Sequence, residues 1–331
     1  MENKTYKAFI IRENEDGSFS RAIEDKTIDQ LPEGEVLIQV KYAALNYKDA
    51  LSSTGHKGIS GTFPHTPGVD ACGVVVECST DDFEQGDKVI VTSYDFGMNT
   101  SGGFQEFIRV PAHWPVKKPS ALSLEESMVL GTGGFTAALS LYKMEQNDQT
   151  PAMGKILVTG STGGVGSMAV AILALNGYEI IAATGKTSAH AYLKQLGATE
   201  IIDREAVNDQ SGRPLLRNGW AGAIDTVGDN TLATCIKACG RNGSIAVCGL
   251  VASPKLETTV YPFILNGVNV LGIETAETPR HIRLKIWELL ATTWKPKQLD
   301  EMKKIISLSQ LEPHIDAMLE GNSKGRVVVK F

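Results

Sequence analysis

The sequence predicts an α/β chain in which a β-rich module precedes a doubly wound parallel sheet. Three observations carry the prediction. Short segments rich in β-branched and aromatic residues, separated by Gly, Pro and Asp clusters, fill the first 120 residues. From about Pro119 to residue 276, strand-like and helix-like stretches alternate, as in a parallel sheet with crossover helices. A glycine-rich turn stands between one such strand and its helix.

In the first module, strands are expected at Tyr6–Ile11, Val36–Tyr42, Gly73–Glu77, Lys88–Thr92 and Phe104–Val110. Turn clusters at Leu31-Pro32-Glu33-Gly34, Thr66-Pro67-Gly68 and Glu84-Gln85-Gly86-Asp87 separate them, a spacing that suits a barrel or sandwich. Ser123-Leu-Glu-Glu-Ser reads as a helix start, with a capping serine and acids in the first turn. Lys155–Thr159 is then a strand and Ser167–Leu175 a helix stopped by Asn176-Gly177. Tyr178–Ala183 is a strand and Ser188–Leu196 a helix stopped by Gly197. Glu200–Asp203, Ala221–Val227, Ser244–Cys248 and Asn269–Ile273 complete the strands. Beyond Glu277, helices are expected around Arg280–Thr293 and Leu299–Ile306. The apolar end Gly325–Phe331 is a strand, expected to pair back in the β-rich module. Domains are therefore expected at residues 1–122 with 277–331, and at 123–276.

Composition narrows the function classes. The chain has 331 residues, about two domains at roughly 150 residues each. Hydrophobic residues are 42% and charged residues 21%, enough apolar material for a substantial core. Lys and Arg total 32 against 38 Asp and Glu, a net charge of −6. That balance argues against broad binding to nucleic acid or anionic membranes. No apolar run approaches the ~20 residues of a membrane helix, and Met1–Lys7 holds no apolar signal core. A cytoplasmic protein is expected. The five cysteines (72, 78, 235, 239 and 248) form no Cys-x-x-Cys pair. They read as small hydrophobes, not as a disulfide framework or a zinc site.

The strongest motif is Thr159-Gly160-Ser161-Thr162-Gly163-Gly164-Val165-Gly166. Its spacing departs from Gly-x-Gly-x-x-Gly, but the physics is shared. Glycines let the backbone approach a pyrophosphate, and the following helix N-terminus offers free N–H groups and a positive dipole end. The next strand selects the dinucleotide. An NAD site carries an acid at that strand's C-terminal end, for the ribose 2′-hydroxyl. Here the strand ends in Thr184-Gly185-Lys186-Thr187-Ser188, and Glu179 lies at the wrong end. Lys186, with hydroxyl help from Thr184 or Ser188, would attract a 2′-phosphate. NADP(H) is the expected cofactor; the alternative for Lys186 is a solvated helix-start lysine.

Three further segments are more specific. They are Ala43-Ala-Leu-Asn-Tyr-Lys-Asp49, Phe63-Pro-His-Thr-Pro-Gly-Val-Asp-Ala-Cys-Gly-Val-Val75 and Phe83-Glu-Gln-Gly-Asp-Lys-Val89. With the glycine loop they resemble the medium-chain dehydrogenase/reductase superfamily over the whole chain. Trp220–Gly228, Cys248-Gly-Leu250, Pro262-Phe-Ile-Leu265 and Gly325-Arg326 resemble its bacterial quinone oxidoreductase / acrylyl-CoA reductase family.

The resemblance implies a GroES-like β-rich catalytic domain and a Rossmann NADP-binding domain. Zinc members carry a Cys in the first segment and a His-Glu pair in the second. Here those places hold Asn46 and Gly68-Val69-Asp70, and the four-cysteine structural lobe is absent. The metal-free branch is implied, with His65 read as structural. Without a Lewis acid for an alkoxide, the implied chemistry is hydride delivery to an activated C=C or a quinone.

The resemblance places Asn46, Tyr47 and Asp49 on the segment facing the nicotinamide, as candidate catalytic residues. Tyr47 would donate a hydrogen bond or contact the cofactor, and Asn46 would donate to a carbonyl. Asp49 reads equally as a helix or turn cap. Tyr94 is a weaker pocket-lining candidate. Leu250 and Ile264 are carried over as cofactor contacts. Arg204 is carried over for the adenosine phosphates or an ion pair, and Arg326 as a cleft neighbour or a structural ion pair. Lys57 would meet coenzyme A phosphates or solvent.

Three functions stay open. They are an NADPH-dependent reductase of α,β-unsaturated thioesters such as acrylyl-CoA, an NADPH:quinone reductase, and a non-catalytic nucleotide-sensing or RNA-binding protein. The acidic balance and intact loop weigh against the third. The partners expected are a small-molecule enoyl-CoA or quinone, with no nucleic acid and no membrane. A homodimer built by edge pairing of the nucleotide-binding sheets is implied.

Overall fold

The computed structural model describes residues 4–331. The chain forms two compact units. One runs to Thr132 and takes in Ala276–Ala291 and Leu299–Phe331; the other comprises Gly133–Thr275 and Thr292–Gln298.

The first unit is built on antiparallel strands. Val36–Leu45 is central, paired with Asp70–Cys78, Phe107–Val110 and Arg326–Lys330. Lys88–Thr92 and Val116–Lys117 extend the sheet on one side, and Lys303–Ser307 on the other. Val36, Ile38, Val40, Ala71, Val75, Val89 and Val91 form one buried cluster from these strands. Apolar residues alternating at period two place one face inward. The terminal strand thus returns to the β-rich unit, as expected of Gly325–Phe331.

Two elements differ from expectation. Phe19–Thr27 is a strand, hairpin-paired with Thr5–Glu13. Its side chains are mostly exposed or half-buried, so it lacks the apolar run that marks a strand in sequence. The helix expected at Leu299–Ile306 is instead strand Lys303–Ser307, parallel to Arg326–Lys330. Ile305 and Ile306 pair with Val328 and Val329, and this long-range rung overrides local propensity. The helix follows at Leu311–Leu319.

The second unit is a six-stranded, all-parallel sheet. Its order is Glu200–Ile202, Ile180–Ala183, Ile156–Val158, Gly222–Asp225, Ser244–Val247, Asn269–Gly272. In chain order this is 3-2-1-4-5-6, the doubly wound dinucleotide-binding topology. The order reverses between Ile156–Val158 and Gly222–Asp225, and ligands of such sheets lie beyond the carboxyl ends of strands at that point. Both strands are fully buried, as helices on both faces require.

The chain crosses between units within one long helical stretch, Leu124–Gln146. Ser123 and Glu126 cap its start reciprocally, at 2.8 and 3.0 Å. Gly131 breaks it, with φ 46° and ψ −154°. The first turns belong to the β-rich unit, beyond the boundary expected at residue 122. The physical reason is local bonding: Cys72 Sγ donates to Leu124 O, Lys303 pairs with Glu125, and Thr132 N–H donates to Asp70 Oδ2 at 2.8 Å.

Candidate functional site

In the parallel-sheet unit, strand Ile156–Val158 feeds Thr159 into the glycine loop. Gly160 is left-handed, φ +54°, and a Cβ there would stand 2.3 Å from Thr226 Oγ1. A Cβ on Gly166 would stand 2.3 Å from Gly160 O. Only glycine permits both the turn and the close helix approach. Gly163 caps the twelve-residue helix Gly164–Leu175, whose first turn, with Val165, carries no acid. That N-terminus suits an anion. Ser161 Oγ donates to Ala183 O at 2.9 Å, which ties the loop to the neighbouring strand. Thr162 is buried.

Sequence reasoning missed the anchor beneath this loop. Thr159 Oγ1 donates to Asp225 Oδ1 at 2.7 Å and accepts from Thr226 N–H at 3.0 Å. Asp225 Oδ2 accepts from Gly228 N–H at 2.8 Å. Burial raises the Asp225 pKa. Only an Asp at the end of an apolar strand hinted at it.

The end of strand Ile180–Ala183 carries the residues expected to select the dinucleotide. Thr184 Oγ1 accepts from Lys186 N–H at 3.1 Å. Lys186 is half-buried, and burial lowers its pKa. A Cβ on Gly185 would stand 3.1 Å from Arg204 Nε, so Lys186 and Arg204 both adjoin Gly185. Arg204 is 76% exposed and lies 3.5 Å from Glu205. Leu250 and Ile264 are 58% and 69% exposed. The residues therefore fit a dinucleotide: a glycine cradle with its helix N-terminus, then two cations where a carboxylate would exclude a 2′-phosphate.

The β-rich unit holds a second cluster. Strand Val36–Leu45 ends at Asn46, the cap of helix Tyr47–Ser52. The Asn46 amide is fully engaged. Nδ2 donates to Asp70 Oδ2 at 2.8 Å and to Ala44 O at 3.2 Å, and Oδ1 accepts from Arg326 Nη1 at 2.9 Å. Arg326 Nη2 reaches Asp70 Oδ2 at 3.2 Å, and Nε donates to Val129 O at 3.1 Å. Thr132 Oγ1 donates to Asp70 Oδ1. Burial lowers the Arg326 pKa and Asp70 acts against that.

Asp49 is completely buried and accepts three backbone N–H bonds: from Asn46 at 2.8 Å, Gly68 at 3.0 Å and Val69 at 2.9 Å. It caps the helix and pins the Gly68 turn. Tyr47 stands at the first helical position, half-exposed, and its hydroxyl takes no hydrogen bond among the described residues. Of the three candidates here, only Tyr47 keeps a free polar group. His65 Nε2 lies 3.0 Å from Gly97 O in a buried setting. Lys57 pairs with Glu13 at 3.0 Å and lies over Phe19 and Phe63, a packing role.

Two family models match the chain. The Alcohol dehydrogenase GroES-like domain family matches residues 32–120, and the Zinc-binding dehydrogenase family matches residues 164–292. The chain belongs to the medium-chain dehydrogenase/reductase superfamily, in its quinone oxidoreductase / acrylyl-CoA reductase group. It is 43% identical to the protein named "Putative quinone oxidoreductase YhfP" of Bacillus subtilis, over 92% of this chain and 94% of that one. It is 39% identical to acrylyl-CoA reductase AcuI of Ruegeria pomeroyi, over 98% of both. Among solved structures, the yhdH oxidoreductase of Salmonella enterica in complex with NADP superposes with TM-score 0.95, at 38% identity over 98% of this chain and 99% of that one. YhfP with NAD bound superposes with TM-score 0.96, at 41% identity over 99% and 100%.

Proposed function

We propose that this protein is an NADPH-dependent reductase of an activated C=C in an α,β-unsaturated thioester of the acrylyl-CoA kind. The carrying observation is the pairing of an intact glycine cradle with Lys186 and Arg204 beside Gly185. NADPH, when bound, supplies the hydride. Gly160–Gly166 would hold the pyrophosphate, and Thr184, Lys186 and Arg204 the 2′-phosphate. Leu250 and Ile264 would give apolar contact to the cofactor. The relative with NADP bound supports that choice and the relative with NAD bound opposes exclusivity, so the preference rests on this chain's own cations.

In the β-rich unit, Tyr47 is the residue we assign to substrate or cofactor contact. Asn46 and Asp49 serve by fixing its helix, since their polar atoms are spent on protein partners. The reaction is read as metal-independent. A divalent cation at the Asn46–Asp70 position would face the buried Arg326 guanidinium, and Val69 offers no ligand. Activity should survive a chelator.

A homodimer is part of this reading. Among the described residues, eight of the eleven exposed large apolar side chains fall in sequence between Leu250 and Val270. Apart from Leu250 and Ile264, given above to the cofactor, they include Val270 on the edge strand Asn269–Gly272 and Leu265 on the helix before it. An uncovered apolar sheet edge is a pairing surface.

NADPH consumption is to be followed with acrylyl-CoA, crotonyl-CoA and several quinones, comparing kcat/KM. The enoyl thioesters should lead. Quinones leading would favour the NADPH:quinone reductase instead. Turnover of neither would favour a non-catalytic nucleotide sensor.

A further inference from the structure

We propose that the Tyr94 hydroxyl is a catalytic hydrogen-bond donor to the carbonyl oxygen of the acceptor, a role resting on the reductase reading above. Strand Lys88–Thr92 runs antiparallel to Asp70–Cys78, and Asp70 pairs with Thr92. Beyond that last rung the chain does something costly. Ser93 and Tyr94 are consecutive non-glycine residues with φ +73° and +54°. Left-handed backbone is uncommon for residues with a Cβ. Such strain persists where the surroundings over-determine it, and it gathers at functional sites.

The surroundings here are specific. Ser93 N–H donates to Val69 O at 3.3 Å, and Tyr94 N–H to Ala276 O at 3.2 Å. The Tyr94 ring stacks on Trp114, with centroids 5.4 Å apart and planes within 1°. His113 meets it edge-on at 5.7 Å, and the Arg283 guanidinium lies 4.6 Å from its centroid. The ring is thus held by three neighbours on top of its backbone. Yet Tyr94 remains half-exposed, and its hydroxyl takes no hydrogen bond among the described residues. A phenol fixed this firmly and left without a partner is arranged for a ligand.

Its location joins it to the candidate cluster. Val69 accepts from Ser93 through its carbonyl and donates to Asp49 through its N–H. Asp49 in turn caps the helix that begins at Tyr47. The turn bearing Tyr94 and the helix bearing Tyr47 are therefore braced on one residue, at one end of the sheet. Ser93 Oγ, 7% exposed, is also without a partner. An unpaired buried hydroxyl is rare in folded proteins.

The chemistry asks for such a donor. As the β-carbon takes a hydride from NADPH, the C=C electron pair shifts and negative charge builds on the carbonyl oxygen. The α-carbon then takes a proton from water, leaving NADP⁺, hydroxide and the saturated product. A preorganised O–H aimed at the growing charge lowers the barrier. A quinone acceptor also builds charge on a carbonyl oxygen, so the donor serves both acceptor classes.

Tyr94→Phe keeps the ring and removes only the hydroxyl. On the acceptor that the wild type reduces fastest, kcat should fall about 10²-fold. The Kd for NADPH and the Tm should stay within error. Unchanged kcat overturns the proposal. A loss of kcat accompanied by weaker NADPH binding or a lower Tm assigns Tyr94 to packing, and also overturns it. A wild type inactive on every acceptor overturns the reductase reading itself and takes this role with it.

Discussion

The Arg326 guanidinium lies 3.2 Å from the Asp70 carboxylate, and both side chains are sealed from solvent at 3% and 0% exposure. They stand 256 residues apart in the chain and meet because the terminal strand pairs with Val36–Leu45. A buried pair of this kind is expensive to form and more expensive to break, since removing one partner strands the other charge. Arg326→Ala should destabilise the protein by about 3–5 kcal/mol. Urea denaturation monitored by circular dichroism measures it. A loss under about 1 kcal/mol would mean that Asp70 is satisfied by Asn46 and Thr132 alone.

The glycine loop separates binding from folding. Gly163 has ordinary extended backbone, and its Cβ would lie 3.3 Å from Gly160 O. Gly163→Leu should keep the far-ultraviolet spectrum and raise the Kd for NADPH at least tenfold. Gly166→Leu is different, because its Cβ would press within 2.3 Å of Gly160 O and 2.7 Å of Ser161 Cα. That variant should lose stability as well as affinity. Native-like NADPH binding in Gly163→Leu would reduce the loop to a turn.

Cofactor preference turns on Lys186. A charge-assisted contact to phosphate is worth roughly 1.5–3 kcal/mol, and half-exposure with salt screening pushes it to the low end or below. NADPH should be preferred over NADH by about tenfold. Lys186→Ala should lose most of that ratio through weaker NADPH binding alone. Arg204→Ala should cost less, since Arg204 is more exposed and has Glu205 beside it. The check is the Kd of both cofactors at fixed ionic strength; an unchanged ratio in Lys186→Ala removes this residue from selection.

Asp49 gives a pH signature. Burial pushes its carboxyl up to about 7, with Asp70 adding to the rise against the three backbone donors. In the unfolded chain it titrates near about 3.9. Between those values the folded protein holds more protons than the unfolded one, so this group's stabilisation is full below about 4 and is lost as pH rises toward about 7. Asp49→Asn should flatten that part of the stability profile between pH 4 and 7. Parallel profiles for wild type and variant would show that the carboxyl does not titrate there.

The apolar sheet edge predicts assembly. Val270 lies on the edge strand at 40% exposure, and Leu265 is 51% exposed in the helix before it. Sedimentation should give a dimer for the wild type and a monomer for Val270→Lys with Leu265→Lys, with Tm lowered by dissociation. A wild-type monomer would leave the patch unexplained by self-pairing.

The sequence by itself determined the parallel sheet, the glycine loop and the absence of an acid after the second parallel strand. These are local signals: buried parallel strands read as apolar runs, a loop close to phosphate needs glycine, and the residues at a strand end are contiguous. It also carried the family's motifs around Asn46 and Gly68. Only the tertiary structure decided what those polar residues do. Asn46 was expected to donate to a carbonyl, but both its amide hydrogens and its oxygen are taken by Ala44, Asp70 and Arg326, the last 280 residues away. The Asp225 anchor, the Tyr94 clamp and the strand at Lys303–Ser307 were hidden for the same reason. Each depends on partners distant in the chain, and periodicity reports which side of an element is buried, not which group it meets there.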